Sequence, residues 1–271
     1  MSEHLVLQGD CLKLLPTLPP ATCLFADPPD NLGLKYADTT DKMPSLNYYQ
    51  WLCDITVKAL KKEPKVFWLS HFHRHTFHYM AMLQAWAAQP EFANVLGGWE
   101  VRQFVWRFTF GQHRDTDCGN GYRPILRFSR PGTKWSTDDI RIPSARQEKY
   151  GDKRANPKGR VPDDVWDFSR VCGTFHERRP WHPTQHPEAL MERIVRMSCA
   201  PGSTVLDLFG GTFTTDRVCR RLGIDCTSLE VSPTYCQRYL AEVATAGLPA
   251  VRVFGQAELP PNCLSMFQIS A

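Results

Sequence analysis

The sequence predicts an α/β fold, a doubly wound and mostly parallel sheet interrupted by a basic insertion. Three observations carry this. Short apolar runs alternate with helix-patterned stretches over residues 1–110 and again over 181–271, as in strands joined by crossover helices. Residues 111–180 break that rhythm, being polar and basic over much of their length. A chain of 271 residues with 42% hydrophobic and 22% charged content has the material for one large domain. We therefore expect two halves of a single domain, 1–110 and 181–271, with 111–180 inserted between them.

Taken in order, HLVLQGD (4–10) reads as a short strand ending in Gly9-Asp10, and CLKLLPTL (11–18) as a helix stopped by Pro16. ATCLFADPP (21–29) is a continuous apolar run too short for a helix, hence a buried strand that ends in a stiff polar turn. LNYYQWLCDITVKAL (46–60) carries a helical stripe of Leu46, Tyr49, Leu52, Cys53, Thr56 and Leu60. KVFWLS (65–70) is another buried strand. VRQFVWRFTF (101–110) and YRPILRFSR (122–130) alternate apolar and polar residues, a half-exposed antiparallel pair turned at Gly119-Asn120-Gly121. Residues 131–160 read as a long loop, and RVPDDVWDF (160–168) as a short strand. HPEALMERIVRMSCA (186–200) is an amphipathic helix closed by Pro201-Gly202. STVLDLFGG (203–211) runs from strand to glycine turn. TTDRVCRRLG (214–223) is a helix with Gly223 at its stop. IDCTSLEVS (224–232) is a strand ending at Glu230, and Ser232-Pro233 opens the last helix, PTYCQRYLAEVATAG.

Composition narrows the function. No stretch approaches the roughly 18 apolar residues of a membrane span, and the first ten residues lack the basic and apolar regions of a signal peptide. Ten cysteines without CxxC spacing suit free thiols in a reduced, cytoplasmic protein. Between Arg102 and Pro180, 17 Lys and Arg face 10 Asp and Glu, a balance of +7; the remainder carries 15 against 18, a balance of −3. That basic stretch is interleaved with Tyr122, Trp135, Tyr150 and Trp166, which points to nucleic acid. HFHRHTFH holds His71, His73, His75 and His78, but no Cys or carboxylate stands at ligand spacing, so no metal is expected and the histidines are read as lining a cleft or meeting phosphates.

VLDLFGGTFTT (205–215) places an acid at a strand end before a glycine turn and a helix start, where unpaired N–H groups meet a ligand. It is neither a P-loop nor GxGxxG. Glu230 ends the next strand about 20 residues on, the place where doubly wound folds hold ribose hydroxyls. Together they argue for an adenosine-containing cofactor.

With these residues in view, the chain resembles the β-class of S-adenosylmethionine-dependent DNA amino-methyltransferases, the N6-adenine and N4-cytosine enzymes. LQGDCLKLL and FADPPDN resemble that family's GDC and DPPY elements. DVWDF and HPTQHPEALMERI resemble its DVW and HPTQKP elements, DLFGGTFTT its DPFxGSGTT loop, and LEVSPTYCQRYL its ribose-binding strand and helix. Nearly the whole chain is covered, in order. The resemblance implies a Rossmann-like methyltransferase sheet with a catalytic half, a target-recognition insertion and a cofactor half.

It also implies roles. Asp27 and the carbonyl of Pro28, stiffened by Pro29, would accept hydrogen bonds from the target amine, with Asp30 beside them. Asp10, Cys11, Asp27, His182, Thr184, Gln185, Asp207, Phe209, Gly211, Thr214, Thr215 and Glu230 would surround S-adenosylmethionine. Asn31, Tyr36, Trp181, Arg146, Lys153 and Arg154 are the substrate-binding candidates on double-stranded DNA. A homodimer and a cognate restriction enzyme are further partners this resemblance admits. Two departures stand out. Asp30 replaces an aromatic, so we expect it at the rim of the base pocket, orienting a polar neighbour while Tyr36 or Trp181 packs the flipped base. Phe213 replaces the second glycine of the cofactor loop and Leu208 a proline, which bears on how closely that backbone approaches a ligand. Adenine is preferred over cytosine because Asp, not Ser, opens the DPP element. The alternatives are an N4-cytosine enzyme, a decayed DNA-binding homologue, or a methyltransferase of unusual substrate such as a modified base or RNA.

Overall fold

The structure is a computed structural model that describes residues 2–110, 114–248 and 252–255. Nine strands are found among them: β1 (His4–Gln8), β2 (Cys23–Ala26), β3 (Val66–Ser70), β4 (Glu100–Arg107), β5 (Tyr122–Ser129), β6 (Val165–Asp167), β7 (Thr204–Asp207), β8 (Asp225–Glu230) and β9 (Arg252–Gly255). The helices are α1 (Cys11–Leu14), α2 (Ser45–Leu60), α3 (Thr76–Ala87), α4 (Pro90–Leu96), α5 (Ala145–Glu148), α6 (Glu188–Ser198), α7 (Thr214–Leu222) and α8 (Pro233–Thr245).

The strands form one sheet in the order β6-β4-β5-β3-β2-β7-β8-β1-β9. From β3 to β9 every pairing is parallel, and β5 runs antiparallel to both β3 and β4. The sheet is covered on both faces, because neighbouring residues of each central strand point opposite ways. Leu24 and Ala26 of β2 and Phe67 and Leu69 of β3 pack with Leu52, Ile55 and Ala59 of α2. Cys23, Phe25, Val66 and Trp68 point to the other face, toward Leu190, Ile194 and Val195 of α6 and Val218 of α7. Helix α8 closes the far end with Tyr235, Tyr239 and Val243 over Val6 of β1. No helix among the described residues is long and apolar enough to cross a membrane.

Local signals work as expected at the helix ends. Asp10 caps α1 by accepting the Leu12 N–H at 2.9 Å. Ser232 caps α8 by accepting the Tyr235 N–H at 3.1 Å, with Pro233 in the first turn. Gly223 ends α7 at φ 68°.

Several expectations are corrected. β5 is buried from Pro124 onward rather than half-exposed, because both of its faces are covered: Leu126 and Phe128 enter one core cluster and Ile125 the other. The link from β4 to β5 spans residues 108–121, longer than a tight turn at Gly119–Gly121. Of the expected stripe of α2, Leu52, Cys53, Thr56 and Leu60 are buried, but Leu46 is 60% exposed and Tyr49 only partly covered, while Tyr48 and Ile55 are buried as well. The helices α3 and α4 and the edge strand β9 were not anticipated. Two parts of segment 111–180, β5 and β6, are strands of the sheet itself; residues 131–160 between them hold only α5, one 3-10 turn and an Ile142–Arg160 bridge as regular structure.

Candidate active site

Because β1, β2, β3, β7 and β8 all run the same way, their C-terminal ends meet at one edge of the sheet. That edge collects Asp10, Asp27, Ser70, Asp207 and Glu230, each at or just past a strand end. β2 and β7 are adjacent, yet the helix after β2 packs on one face and the helix after β7 on the other. The chain therefore opens a crevice here, the general ligand position of doubly wound sheets. A cavity of about 650 Å³ occupies it and reaches from Asp10 and Glu230 to Asp27, Tyr122 and Arg123.

On one side of the crevice, Asp27 follows β2 directly and lines the cavity with Pro28, Pro29 and Asp30. Its Oδ1 accepts Arg123 Nη2 at 2.6 Å, and its Oδ2 lies 3.0 Å from His186 Nδ1. Burial by itself would raise the Asp27 carboxyl, but Arg123 and His186 outweigh it and hold the group well below the usual carboxylate range. Asp30 faces inward, not toward the rim as expected. It is 8% exposed and takes Arg123 Nη1 at 2.6 Å on Oδ2, and Arg123 Nη2 at 3.0 Å and the Phe72 N–H at 2.9 Å on Oδ1. Its polar neighbour is thus an arginine. The turn is braced from behind: Tyr48 donates to the Pro29 carbonyl at 2.9 Å and His75 Nε2 to the Asp30 carbonyl at 2.7 Å.

On the other side, Glu230 ends β8 and is buried, which raises its carboxyl above the usual range. Its Oε2 accepts the Gly211 N–H at 2.7 Å and its Oε1 the Ser232 N–H at 2.8 Å. Asp207 lies 2% exposed beneath the glycine turn, accepts the Phe209 N–H at 3.1 Å and forms no ion pair among the described residues. Burial pushes its carboxyl up to about 7, against a weaker opposing hydrogen bond from Thr215. Asp10, Cys11, His182, Thr184, Gln185, Phe209, Gly211, Thr214 and Thr215 all line the cavity. Gln185 also ties its own loop, accepting the Arg179 N–H at 2.8 Å and donating to the Glu177 carbonyl at 2.7 Å.

Phe213 does not obstruct this side. It takes the left-handed conformation, φ 59° and ψ 33°, that a glycine would adopt without strain. The turn sends its ring into the core, fully buried and stacked on Tyr239 with centroids 4.4 Å apart and planes 9° from parallel. Gly210 makes room for it: a Cβ there would meet the Phe213 ring at 2.8 Å.

The substrate candidates divide. Tyr36 lines the cavity, edge-on to His182 with centroids 5.5 Å apart. Trp181 is not among the cavity-lining residues; it packs on Tyr235, and its Nε1 donates to Glu242 at 3.2 Å. Asn31 spends both side-chain ends on the backbone of Met43, at 3.0 and 2.7 Å. Arg146, Lys153 and Arg154 lie outside the cavity lining; Arg146 and Arg154 share Asp152 as counterion, while Lys153 is exposed and forms no ion pair among the described residues. His71 and His75 are buried behind the DPPD turn rather than lining a cleft or meeting phosphates. Among the described residues no group of three or more His, Cys, Asp and Glu is placed to hold a metal.

Sequence reasoning missed Arg123, Ser70 and His186. The first two carry no local signal, since β3 and β5 meet only through the sheet. His186 could have been found from the one residue by which HPTQH departs from HPTQK.

With this geometry in place, the comparisons with known proteins bear on identity. The sequence profile of the N6/N4 DNA methylase family matches residues 21–242. The chain belongs to this family. The methylase is 26% identical over 256 residues to the DNA adenine methyltransferase YhdJ of Escherichia coli K12, covering 89% of this chain and 83% of that protein. Its fold is that of the PvuII DNA methyltransferase (cytosine-N4-specific), with a TM-score of 0.63 at 16% identity over 93% and 96% of the two chains. It is also that of TTHA0409 of Thermus thermophilus, a putative DNA modification methylase solved with S-adenosyl-L-methionine, with a TM-score of 0.58 at 18% identity over 93% and 98%. The methylase is accordingly an S-adenosylmethionine-dependent DNA amino-methyltransferase. Its own residues fit that cofactor: a buried acid without a cationic partner among the described residues, a glycine turn with Gly211 at φ 52°, and an acid closing the neighbouring strand.

Proposed function

We propose that the methylase transfers a methyl group to N6 of adenine, at specific sites in double-stranded DNA and on a base flipped out of the helix. The observation that carries this reading is the Asp27–Pro28 pair of acceptors, which opens into the same cavity as Asp207 and Glu230. The cofactor, when bound, supplies an electrophilic methyl group. Glu230 would hold its ribose, Asp10 and Cys11 its adenine, and Asp207 its cationic amino group, with His182, Thr184 and Gln185 alongside.

An exocyclic amine is a poor nucleophile because its lone pair is delocalised into the ring. Asp27 and the Pro28 carbonyl counter this by accepting both N–H groups, which favours a tetrahedral nitrogen with a free lone pair. Pro28 and Pro29 fix the turn and bring no N–H to compete. With its carboxyl held so low, Asp27 is a charged hydrogen-bond acceptor when the amine arrives, and the proton shed by the methylated nitrogen, strongly acidic once its lone pair is used, leaves along the Asp27 hydrogen bond to solvent. Tyr36, one of the aromatic residues lining the cavity, would pack the flipped base, and a duplex must release that base before Asp27 can reach its amine. Asp at the first position of the DPP element and the similarity to an adenine methyltransferase both favour adenine.

The test is to incubate the protein with duplex DNA and labelled cofactor and to identify the modified nucleoside by mass spectrometry. N6-methyladenine is the expected product, abolished by Asp27→Ala while cofactor binding persists. N4-methylcytosine would reverse the base assignment. No methylated base, with cofactor still bound, would leave the non-catalytic reading.

A further inference from the structure

The two acids of the DPPD turn converge on a single cation from another part of the chain. Arg123 stands near the start of β5, whose pairing with β3 sets Ile125 opposite Ser70. Arg123 Nε donates to Ser70 Oγ at 2.7 Å, Nη2 to Asp27 at 2.6 Å, and both Nη groups to Asp30 at 2.6 and 3.0 Å. Ser70 Oγ lies in turn 3.2 Å from His186 Nε2, and His186 Nδ1 lies 3.0 Å from the second oxygen of Asp27. The contacts close a ring: Asp27, Arg123, Ser70, His186 and back to Asp27. Proton counting makes the ring consistent. Ser70 accepts from Arg123, so its own hydrogen goes to His186 Nε2, which leaves Nδ1–H to donate to Asp27.

We infer that Arg123 is the positioning residue of the active site, holding the Asp27 carboxylate in one orientation through this ring, and that Asp30 acts by anchoring Arg123. The inference rests on the amine-acceptor reading of Asp27. Asp30 offers no ring to stack on a base, and its carboxylate already accepts three hydrogen bonds, two from Arg123 and one from the Phe72 N–H. Its carboxylate and the Phe72 N–H instead bind the turn to the end of β3, and the bidentate fork fixes the guanidinium plane. A flat, forked cation is needed here, because a lysine reaches only as a point charge. The position that holds a stacking ring in the DPPY pattern is therefore used, in this chain, to build a frame around the catalytic acid. Arg123 is the opposite charge that touches Asp27 and His186 a neutral donor to it, while Asp30 adds negative charge and Asp207, His71, His182 and Tyr36 lie farther off.

The experiment compares wild type with Arg123→Met, Arg123→Lys, Asp30→Asn and the double variant Asp30→Asn/Arg123→Met. Cofactor binding is measured by calorimetry, kcat as a function of pH, and the ionisation of Asp27 by carbon NMR of its carboxyl. Arg123→Met should lower kcat about 100-fold, as expected for a misplaced catalytic group, with cofactor Kd unchanged within about threefold. The acid limb of kcat and the Asp27 titration should both move up by about one pH unit or more, in keeping with the loss of an adjacent opposite charge. Arg123→Lys should recover part of the rate. Asp30→Asn should cost about tenfold, and the double variant should be no worse than Arg123→Met, because the two residues act as one unit. An Asp27 titration unmoved by Arg123→Met, or losses that multiply independently, would overturn the inference. Should Arg123→Met fail to fold, Arg123→Lys and Asp30→Asn carry the same comparison. The NMR arm judges the ring even if wild type methylates no DNA, a result that would refute the proposed function alone.

Discussion

Replacing Phe213 tests whether a large residue in the cofactor loop is packing or obstruction. The ring is fully buried and stacked on Tyr239, so removing it empties a site in the core between β1 and α8. Phe→Ala changes in cores cost about 3–5 kcal/mol. The left-handed backbone at φ 59° works the other way. A non-glycine residue there carries a strain of about 1–2 kcal/mol, which Phe213→Gly releases and Phe213→Ala retains. Phe213→Gly should thus be destabilised by about 2–3 kcal/mol and Phe213→Ala by somewhat more. For a domain of this size that lowers Tm by about 5–10 °C. Scanning calorimetry and denaturant unfolding measure the loss, and titration calorimetry checks that cofactor affinity stays within about threefold. A Phe213→Gly protein as stable as wild type, or one that binds cofactor tenfold more tightly, would refute the reasoning and mark Phe213 as a hindrance to the ligand.

The site and its surroundings set four further outcomes. Glu230→Ala should weaken cofactor binding by about 1.5–3 kcal/mol, the usual range for hydrogen bonds to a charged group; an unchanged Kd by calorimetry would mean that the ribose lies elsewhere. Asp207 carries a carboxyl raised to about 7 by burial, so a cationic group must bind its ionised form. Cofactor affinity should therefore rise with pH through about 7 with proton release on binding, seen as a buffer-dependent binding enthalpy, and Asp207→Asn should flatten the profile. The same raised carboxyl makes the ligand-free fold bind more protons than the unfolded chain between about pH 4 and 7, so its contribution to stability falls as pH rises across that window. Lys149 and Lys153 are exposed, and neither forms an ion pair among the described residues. If they meet DNA phosphates, converting both to Ala should reduce the salt slope of DNA binding by about two, measured by fluorescence anisotropy at several salt concentrations; an unaltered slope would move the footprint away from this segment.

Features that depend on neighbours along the chain are legible in the amino-acid order alone. ATCLFADPP, KVFWLS and STVLDLFGG had to be buried strands because their apolar runs are too short for helices, and each ends in polar or glycine residues that a core rejects. Asp10, Asp27, Asp207 and Glu230 were legible for the same reason, as polar residues at the ends of apolar runs. Parallel pairing then brings those ends to one edge. What the acids touch depends on contacts between distant segments. β5 is buried because core packs against both of its faces, Leu126 and Phe128 on one and Ile125 on the other, which no alternation within YRPILRFSR reveals. Phe213 looked like an obstacle at the loop and proved to be a core residue, because one left-handed step turns its side chain away from the ligand side. Asp30 was read as a rim residue because position along the chain says nothing of a partner 93 residues away. The cation that Asp27 and Asp30 share comes from a strand whose register only the assembled sheet could set.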